Sequence, residues 1–141
     1  MSEQSVEGHR RIYEAFNARD ADALVGLCDP SIVVESVFGA VSGAVYHGHN
    51  GVRKWHRDLA EAWGEEIRVE AETYFALGNR ALVFDVMHGR GRQSGVEVAL
   101  PGAAVTGWRA GRCVYFRAYT RREDALNDLG VSEGMLEAIS P

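Results

Sequence analysis

Residues 80–120 read "RALVFDVMHGRGRQSGVEVALPGAAVTGWRAGRCVYFRAYT", and this stretch decides the fold class. It holds three runs rich in β-branched and aromatic residues, separated by the short turns "QSG" and "AGR". A fourth run, "EIRVEAETYFAL" at 66–77, precedes it across "GNR". Connections this short join antiparallel neighbours. The pattern therefore predicts an antiparallel meander of four strands.

Helical periodicity lies mostly before this meander. Apolar residues recur at helical spacing over Val6–Ala18, and a short second helix at 21–28 is predicted to be capped by Asp20 or Asp22 and to stop by Pro30. A third helix, over 52–63, presents its apolar residues three or four positions apart.

Three further segments complete the order of elements. "SIVVESV" at 31–37 is typical of a strand, and the glycine-rich "FGAVSGAVYHGHNG" at 38–51 is predicted to be a loop. "RREDALNDLG" at 121–130 is a closing helical turn that ends at Gly130. Helices followed by a long meander predict an α+β domain, in which the first and third helices cover the concave side of a curved antiparallel sheet. Such a cone leaves a mostly apolar pocket at one end.

Composition limits the possible functions. A chain of 141 residues corresponds to one domain, 1–141. The net charge of −5 argues against a nucleic-acid partner. No apolar run approaches the roughly 20 residues that span a bilayer, and the polar start is unlike a signal peptide, so we expect no membrane partner and a cytoplasmic location. Cys28 and Cys113 lack metal-site spacing and are interpreted as buried, reduced thiols.

A family resemblance rests on three segments and their order. "YEAFNARDADALVGLCDPSIVVES" at 13–36, "YHGHNGVRKW" at 46–55 and "GRCVYFRAYTRREDALNDLG" at 111–130 together resemble the nuclear transport factor 2-like superfamily, and within it the SnoaL-like proteins, which include polyketide cyclases. The resemblance covers about residues 5–130. It implies a cystatin-like cone, a small-molecule pocket and a homodimer formed through the sheet. It leaves the activity open, because one fold hosts many functions.

The bacterial ketosteroid isomerases of this superfamily offer a test. They use a carboxylate base on the first strand, a helix-one tyrosine and a protonated acid on a late strand. Alignment brings Glu35 to the base, Ile12 to the register of the tyrosine with Tyr13 beside it, and Ala103 to the acid. Because alanine cannot donate a hydrogen bond to an oxyanion, which costs on the order of 100-fold in rate or more, we do not expect ketosteroid isomerase activity.

A second comparison concerns the epoxide hydrolases of this fold, which use an Asp-Arg-Asp arrangement. The three members cannot all be placed in this chain. Asp85 and Arg117 are instead predicted to form a cross-strand ion pair on the outer face of the sheet.

Strand alternation supplies candidate site residues. If Phe84 faces inward, so do Val86 and His88, and on the last strand Phe116 and Ala118 face the same way. The predicted pocket wall comprises Tyr13, Phe16, Tyr46, Trp55, Leu59, Phe84, Val86, Val105, Phe116 and Ala118.

Glu35 and His88 are the predicted proton-transfer pair, with Glu35 as the base. The alternative is that Glu35 lies at the rim, paired with an arginine, while His88 is a structural histidine. The two interpretations lead to different functions. The first is cofactor-free isomerisation, dehydration or cyclisation of a small apolar molecule, and the second is a noncatalytic binding or interaction module.

Three histidines at 46–63 raise the question of a metal. A zinc site requires three or four convergent ligands. His47 and His49 belong to a turn shaped by Gly48 and Gly51, and neither cysteine is near in sequence. We therefore expect no metal and no cofactor. We also expect the outer face of the sheet, with Tyr115, Tyr119, Met87 and Val83, to be the homodimer interface.

Overall fold

The computed structural model describes residues 2–36, 44–91 and 94–141. Within those ranges the chain forms α-helices and β-strands and one 3-10 turn at Glu133–Met135. The helices are α1 (Ser2–Asn17), α2 (Ala21–Gly26), α3 (Gly48–Trp63) and α4 (Arg122–Leu129). The strands are β1 (Cys28–Ser36), β2 (Ala44–His47), β3 (Arg68–Leu77), β4 (Arg80–Arg90), β5 (Glu97–Arg109), β6 (Arg112–Tyr119) and β7 (Ala138–Ile139). None of these helices is long and apolar enough to cross a membrane.

The strands form one sheet in the order β2-β1-β6-β5-β4-β3-β7. The predicted meander is confirmed, because β3 to β6 pair with their chain neighbours in antiparallel fashion. The expectation of a wholly antiparallel sheet was wrong, since β1 runs parallel to β6. Parallel neighbours require a long crossover, and hairpin spacing carries no information about such a distant pairing.

Several element boundaries differ from the predicted ones. Asp20 is the residue that caps α2, accepting a hydrogen bond from Ala23 N at 3.0 Å, and α2 ends before Pro30, which lies inside β1. The predicted loop at 38–51 was partly wrong: its residues 44–47 form β2, and α3 already begins at Gly48, where φ is +71°. Positions 37–43 lie outside the described residues.

The concave face of the sheet carries the main core. α1 and α3 lie on it, and each buries one apolar side. Their larger buried side chains are Val6, His9, Ile12, Tyr13, Phe16, Val52, Trp55, His56 and Leu59. These two helices therefore form the roof of the cone, as predicted.

The outer face of the sheet is covered as well. Ala125 of α4, together with Leu126, Leu129 and Leu136, packs on a second cluster of apolar side chains. That cluster comprises Phe75, Leu82, Phe84, Ala103, Val105 and Tyr119. The centre of the sheet is consequently buried on both sides.

This double burial reverses the predicted orientation of β4. Val83, Asp85 and Met87 face the concave side, whereas Phe84 packs in the outer cluster, so the inward assignment of Phe84, Val86 and His88 was wrong. Alternation establishes which residues share a face, but not which face is inner. Both faces of β4 are apolar, so Asp85 was the only residue of its central run whose polarity could indicate which face points inward.

The two cysteines lie side by side. Cys28 of β1 is opposite Cys113 of β6 in the parallel pair, and both are free and buried. They are buried thiols, as the sequence predicted, but they are not isolated from each other. Burial raises the pKa of Cys28 to about 11, which keeps its thiol protonated at neutral pH.

Candidate functional site

A cavity lies between the two roof helices and the concave face of the sheet. Its volume is about 40 Å³, which holds a few water molecules. Most of its wall is apolar. The described lining residues are Ile12, Tyr13, Phe16, Ser36, Trp55, Leu59, Val69, Asp85, Met87, Ala103, Ala104, Phe116 and Ala118. The cavity exists because small sheet residues, among them Ala104, Ala118 and Ser36, face the aromatic side chains of the helices.

Asp85 and Tyr13 form the polar centre of this wall. The Tyr13 hydroxyl donates a hydrogen bond to Asp85 Oδ2. Burial raises the pKa of Asp85 to about 6, against the opposing effects of the Tyr13 hydrogen bond and of the Arg122 charge. Burial, and then the negative charge of Asp85, raise the pKa of Tyr13 well above its ordinary value. Tyr13 therefore remains a neutral donor, while Asp85 changes protonation state near neutral pH.

The backbone behind Asp85 is held from the outer side of the sheet. Arg122, the first residue of α4, donates through Nη2 to the carbonyl oxygen of Asp85 and through Nε to that of Gly102, both at 3.0 Å. Its guanidinium also forms an ion pair with Glu72. Arg122 thus fixes the strand position of Asp85 without entering the cavity.

Two further polar groups lie at the cavity wall. Ser36 Oγ and Trp55 Nε1 are buried, and neither has a hydrogen-bond partner in the part of the chain that the structure describes. Buried polar groups in proteins are nearly always paired. The cavity consequently combines one titrating carboxyl, one tyrosine donor and two unsatisfied groups.

The structure separates the predicted pocket residues into two sets. Six line the cavity: Tyr13, Phe16, Trp55, Leu59, Phe116 and Ala118. Four do not: Tyr46, Phe84, Val86 and Val105. The placement of Phe84, Val86 and Val105 follows from the reversed strand faces. Tyr46 donates to Asp58 Oδ2 at 2.9 Å, so its hydroxyl joins β2 to α3 rather than lining the cavity.

Glu35 and His88 are not brought together. Glu35 accepts a hydrogen bond from Tyr115 at 3.1 Å and lies 3.4 Å from Arg117, so it has the arginine partner of the alternative interpretation. His88 lies 3.1 Å from Glu70. Their strands are separated by β6 and β5, which is roughly 14 Å across the sheet. The register also places Glu35 level with Leu82 rather than with His88, so the two residues lie further apart still.

The predicted Asp85–Arg117 ion pair was also wrong. Arg117 pairs with Glu35 and, at 3.2 Å, with Asp128, whereas Asp85 lies on the other face of the sheet. Sequence reasoning therefore missed Asp85 and Ser36 as cavity residues. The available signal was the lone carboxylate of "LVFDVM", an apolar run that indicates burial on both faces.

Two of the three clustered histidines, His49 and His56, have structural contacts. His49 Nε2 is 2.8 Å from the carbonyl oxygen of Cys28, and His56 Nε2 is 3.3 Å from that of Phe16. These bonds tie α3 to β1 and to α1. Among the residues that the structure describes, no group of three or more histidine, cysteine, aspartate or glutamate side chains could hold a metal ion.

Comparisons with known proteins agree with this architecture. A ketosteroid isomerase-like fold protein from Catenulispora acidiphila, in complex with trimethylamine, is 17% identical with a TM-score of 0.73, covering 89% of this chain and 94% of that one. An NTF2-like protein of unknown function from Burkholderia pseudomallei is 21% identical with a TM-score of 0.75, covering 88% and 95%. RV0760c from Mycobacterium tuberculosis, in complex with estradiol-17beta-hemisuccinate, is 16% identical with a TM-score of 0.70, covering 82% and 92%.

Identities this low establish the fold alone. No curated protein matches the sequence. The model of the SnoaL-like domain, in contrast, matches residues 9–116, a range that runs from the middle of α1 into β6 and includes Tyr13, Ser36, Trp55 and Asp85. The chain therefore belongs to the SnoaL-like domain family and has the α+β, nuclear transport factor 2-like fold.

Proposed function

We propose that the protein binds a small, largely apolar molecule in the cavity and that Asp85 transfers a proton to and from it without a cofactor. The reaction class is isomerisation, dehydration or cyclisation next to a carbonyl group. The observation that carries the proposal is the placement of Asp85: a carboxyl at the wall of an apolar cavity, hydrogen-bonded to Tyr13, with a pKa raised by burial to about 6.

A pKa near 6 suits a general base at neutral pH. The carboxylate form predominates, and its conjugate acid is strong enough to return the proton. In the proposed step a C–H bond next to the carbonyl breaks, and its proton goes to the carboxylate of Asp85. The electron pair forms a carbon–carbon double bond, and the carbonyl electrons move to the oxygen. Return of the proton to the same or another carbon regenerates Asp85.

Tyr13 is the positioning group in this scheme. Its hydroxyl holds one oxygen of Asp85, which leaves the other oxygen for the substrate proton. Because the pKa of Tyr13 is raised, the hydroxyl keeps its proton throughout. Removing it would raise the pKa of Asp85 further, since the hydrogen bond favours the charged form.

Two of the structural neighbours support binding of a small molecule in this fold. One was crystallised with estradiol-17beta-hemisuccinate and another with trimethylamine. The cavity of this chain is small at about 40 Å³, so a ligand with one or two rings requires side chains of the wall to move.

The test is deuterium incorporation into 2-tetralone in D₂O, followed by proton NMR. We expect the wild type to accelerate exchange next to the carbonyl, with a rate that rises through about pH 6 as Asp85 ionises. Asp85→Asn is expected to lower the enzymatic rate on the order of 100-fold or more, since the base is lost. Glu35→Gln is the matched control and should retain the wild-type rate, because Glu35 lies outside the cavity.

Either contrary result reassigns the function. Loss of exchange in Glu35→Gln with retention in Asp85→Asn would restore the pair expected from the sequence. Binding of 2-tetralone without exchange by the wild type would favour a noncatalytic ligand-binding module.

We also propose a homodimer formed through the outer face of the sheet. The interface differs from the expected one, because Met87 and Val83 face inward and α4 covers part of the surface. Tyr115 and Val114 remain partly exposed on β6. Sedimentation equilibrium should give twice the chain mass, and a mass near 15.5 kDa would exclude the dimer.

A further inference from the structure

Two buried hydrogen-bonding groups at the cavity wall lack partners. Ser36 is 3% exposed and Trp55 is 4% exposed, and neither Ser36 Oγ nor Trp55 Nε1 is hydrogen-bonded within the described residues. A buried group left unpaired loses its hydrogen bonds to water and gains none in return, which destabilises the folded protein. Two of them in the lining of one cavity indicate a binding function for that wall.

The same interior satisfies comparable groups elsewhere. Trp108 Nε1 donates to Thr106 Oγ1 at 2.8 Å, and Thr106 Oγ1 lies 3.0 Å from His9 Nδ1. At this place the protein itself supplies a partner for a buried indole N–H and for a buried hydroxyl, which no residue that the structure describes does at Trp55 and Ser36. His9 Nε2 is also unpaired, but it lies among aromatic rings and is not part of the cavity lining.

The chemistry of the two groups defines the missing partner. An indole N–H can only donate, so its partner is an acceptor, and the serine hydroxyl can donate to the same atom. No lysine, arginine or histidine is among the described lining residues, and Asp85 contributes the only carboxylate. An anionic ligand would meet that charge without compensation. A neutral carbonyl oxygen has two lone pairs and fits both donors.

We infer that Ser36 and Trp55 bind the carbonyl oxygen of a neutral, apolar cyclic ketone in the cavity. For the reaction, this assignment rests on the proposed function: the two donors would stabilise the oxygen that gains charge when Asp85 removes the neighbouring proton. For binding, it rests only on the two unpaired groups and on a wall that, among the described lining residues, carries no cationic side chain and one carboxylate, Asp85.

The experiment compares two probes of the same skeleton, 2-tetralone and tetralin, which lacks the oxygen. Dissociation constants are measured by ligand-observed NMR. We expect the wild type to bind the ketone at least about 10-fold more tightly than the hydrocarbon. Ser36→Ala and Trp55→Phe should each weaken ketone binding about 3- to 10-fold and leave tetralin binding unchanged.

Matched controls separate hydrogen bonding from packing. Ser31→Ala changes an exposed serine of the same strand, and Trp63→Phe changes a tryptophan of α3 outside the cavity lining. Both should bind the two probes like the wild type. Tetralin reports on cavity shape in every variant, so a packing defect in Trp55→Phe would weaken both probes. In that case Ser36→Ala, which removes only one oxygen atom, remains as the test of hydrogen bonding to the ketone.

The inference is overturned if the wild type binds neither probe, if it binds both equally, or if Ser36→Ala keeps the full preference for the ketone. A different result would contradict the proposed function. Preference for the ketone without deuterium exchange would keep the carbonyl site and remove the acid/base role of Asp85. Asp85→Asn, accordingly, should lose exchange while it retains the preference for 2-tetralone.

Discussion

The two ends of the concave core differ in the space beside their buried polar groups. At the packed end, His9, Thr106 and Trp108 form a hydrogen-bonded chain inside close-fitting side chains. At the cavity end, Tyr13 and Asp85 are bonded to each other beside empty space. Both ends lie under the same helix, since His9 and Tyr13 are one turn apart on α1 and their rings touch at a centroid distance of 4.6 Å.

The side chains that face each other between helix and sheet, rather than the backbone, decide where the cavity forms. Trp108 fills the space below the start of α1, and Gly8 allows this, because a Cβ atom there would lie 2.6 Å from the indole ring. Below Tyr13 the sheet offers Ala104 and Ala118. A site thus arises where sheet residues are small and helix residues cannot reach them.

The ends also differ in the sign of their pKa shifts. Burial lowers the pKa of His9 to about 3 and raises that of Asp85 to about 6. In each case the charged form is the one disfavoured. Acid therefore destabilises the protein at the packed end and stabilises it at the cavity end.

The largest expected effect concerns the pH dependence of His9. Its folded pKa of about 3 lies below the unfolded value of 6.5, so the unfolded chain binds more protons between these values. The free energy of unfolding should fall as the pH drops from 6.5 to 3, by roughly 4 kcal/mol at most. Urea titrations of the wild type and His9→Gln across this range measure it. If the free energies of unfolding of the wild type and of His9→Gln differ by the same amount at every pH, the interpretation of His9 as a neutral, buried side chain is wrong.

Truncation of Trp108 should empty the packed end. We expect Trp108→Ala to lower the free energy of unfolding by about 3–4 kcal/mol, because it removes a buried indole and leaves a void. Urea denaturation at pH 8 is the measurement. Val96→Ala, at a position that is 59% exposed, is the control and should stay within about 0.5 kcal/mol of the wild type. A loss below about 1 kcal/mol in Trp108→Ala would mean that this end is not tightly packed.

Neutralising Asp85 should stabilise the protein at high pH. The folded pKa of Asp85, about 6, lies above the ordinary 3.8, so its stabilising contribution is complete below pH 4 and is lost as the pH rises through 6. Relative to wild type, Asp85→Asn should therefore gain about 2 kcal/mol between pH 4 and pH 8. Thermal unfolding at both pH values measures the gain. Asp124→Asn, at an exposed position of α4, should show none, and a gain there equal to that at Asp85 would refute the interpretation.

The smallest effect tests the close approach of helix and indole. In an exposed helix Gly→Ala stabilises by up to about 1 kcal/mol. At Gly8 we expect a net loss of about 1 kcal/mol instead, because the new methyl group would overlap Trp108. Gly26→Ala is the matched control, since a Cβ atom there meets nothing within 4 Å, and its free energy of unfolding should not fall. If Gly8→Ala and Gly26→Ala are both more stable to urea than the wild type, the Trp108 ring moves away from the new methyl group at no measurable cost.

The candidate site shows what could be predicted from residues and what could not. Tyr13, Phe16 and Trp55 were placed at the cavity wall from helical spacing, because an amphipathic helix over a sheet has one possible inner side. Asp85 was missed for the opposite reason: β4 is buried on both faces, so alternation left its orientation undecided. Glu35 was placed correctly on β1, but its partners Tyr115 and Arg117 come from the distant β6.

By itself, the sequence determined the α+β class, the two roof helices and the four-stranded meander, because these follow from local periodicity and from turns of a few residues. Only the tertiary structure decided that β1 runs parallel to β6, that Asp85 faces the cavity, and that Ser36 and Trp55 lie there unpaired. These features depend on contacts between residues far apart in the chain, and on which sheet face each covering element takes. Distant contacts and the choice of sheet face leave no periodic pattern in the sequence, so neither could be predicted from it.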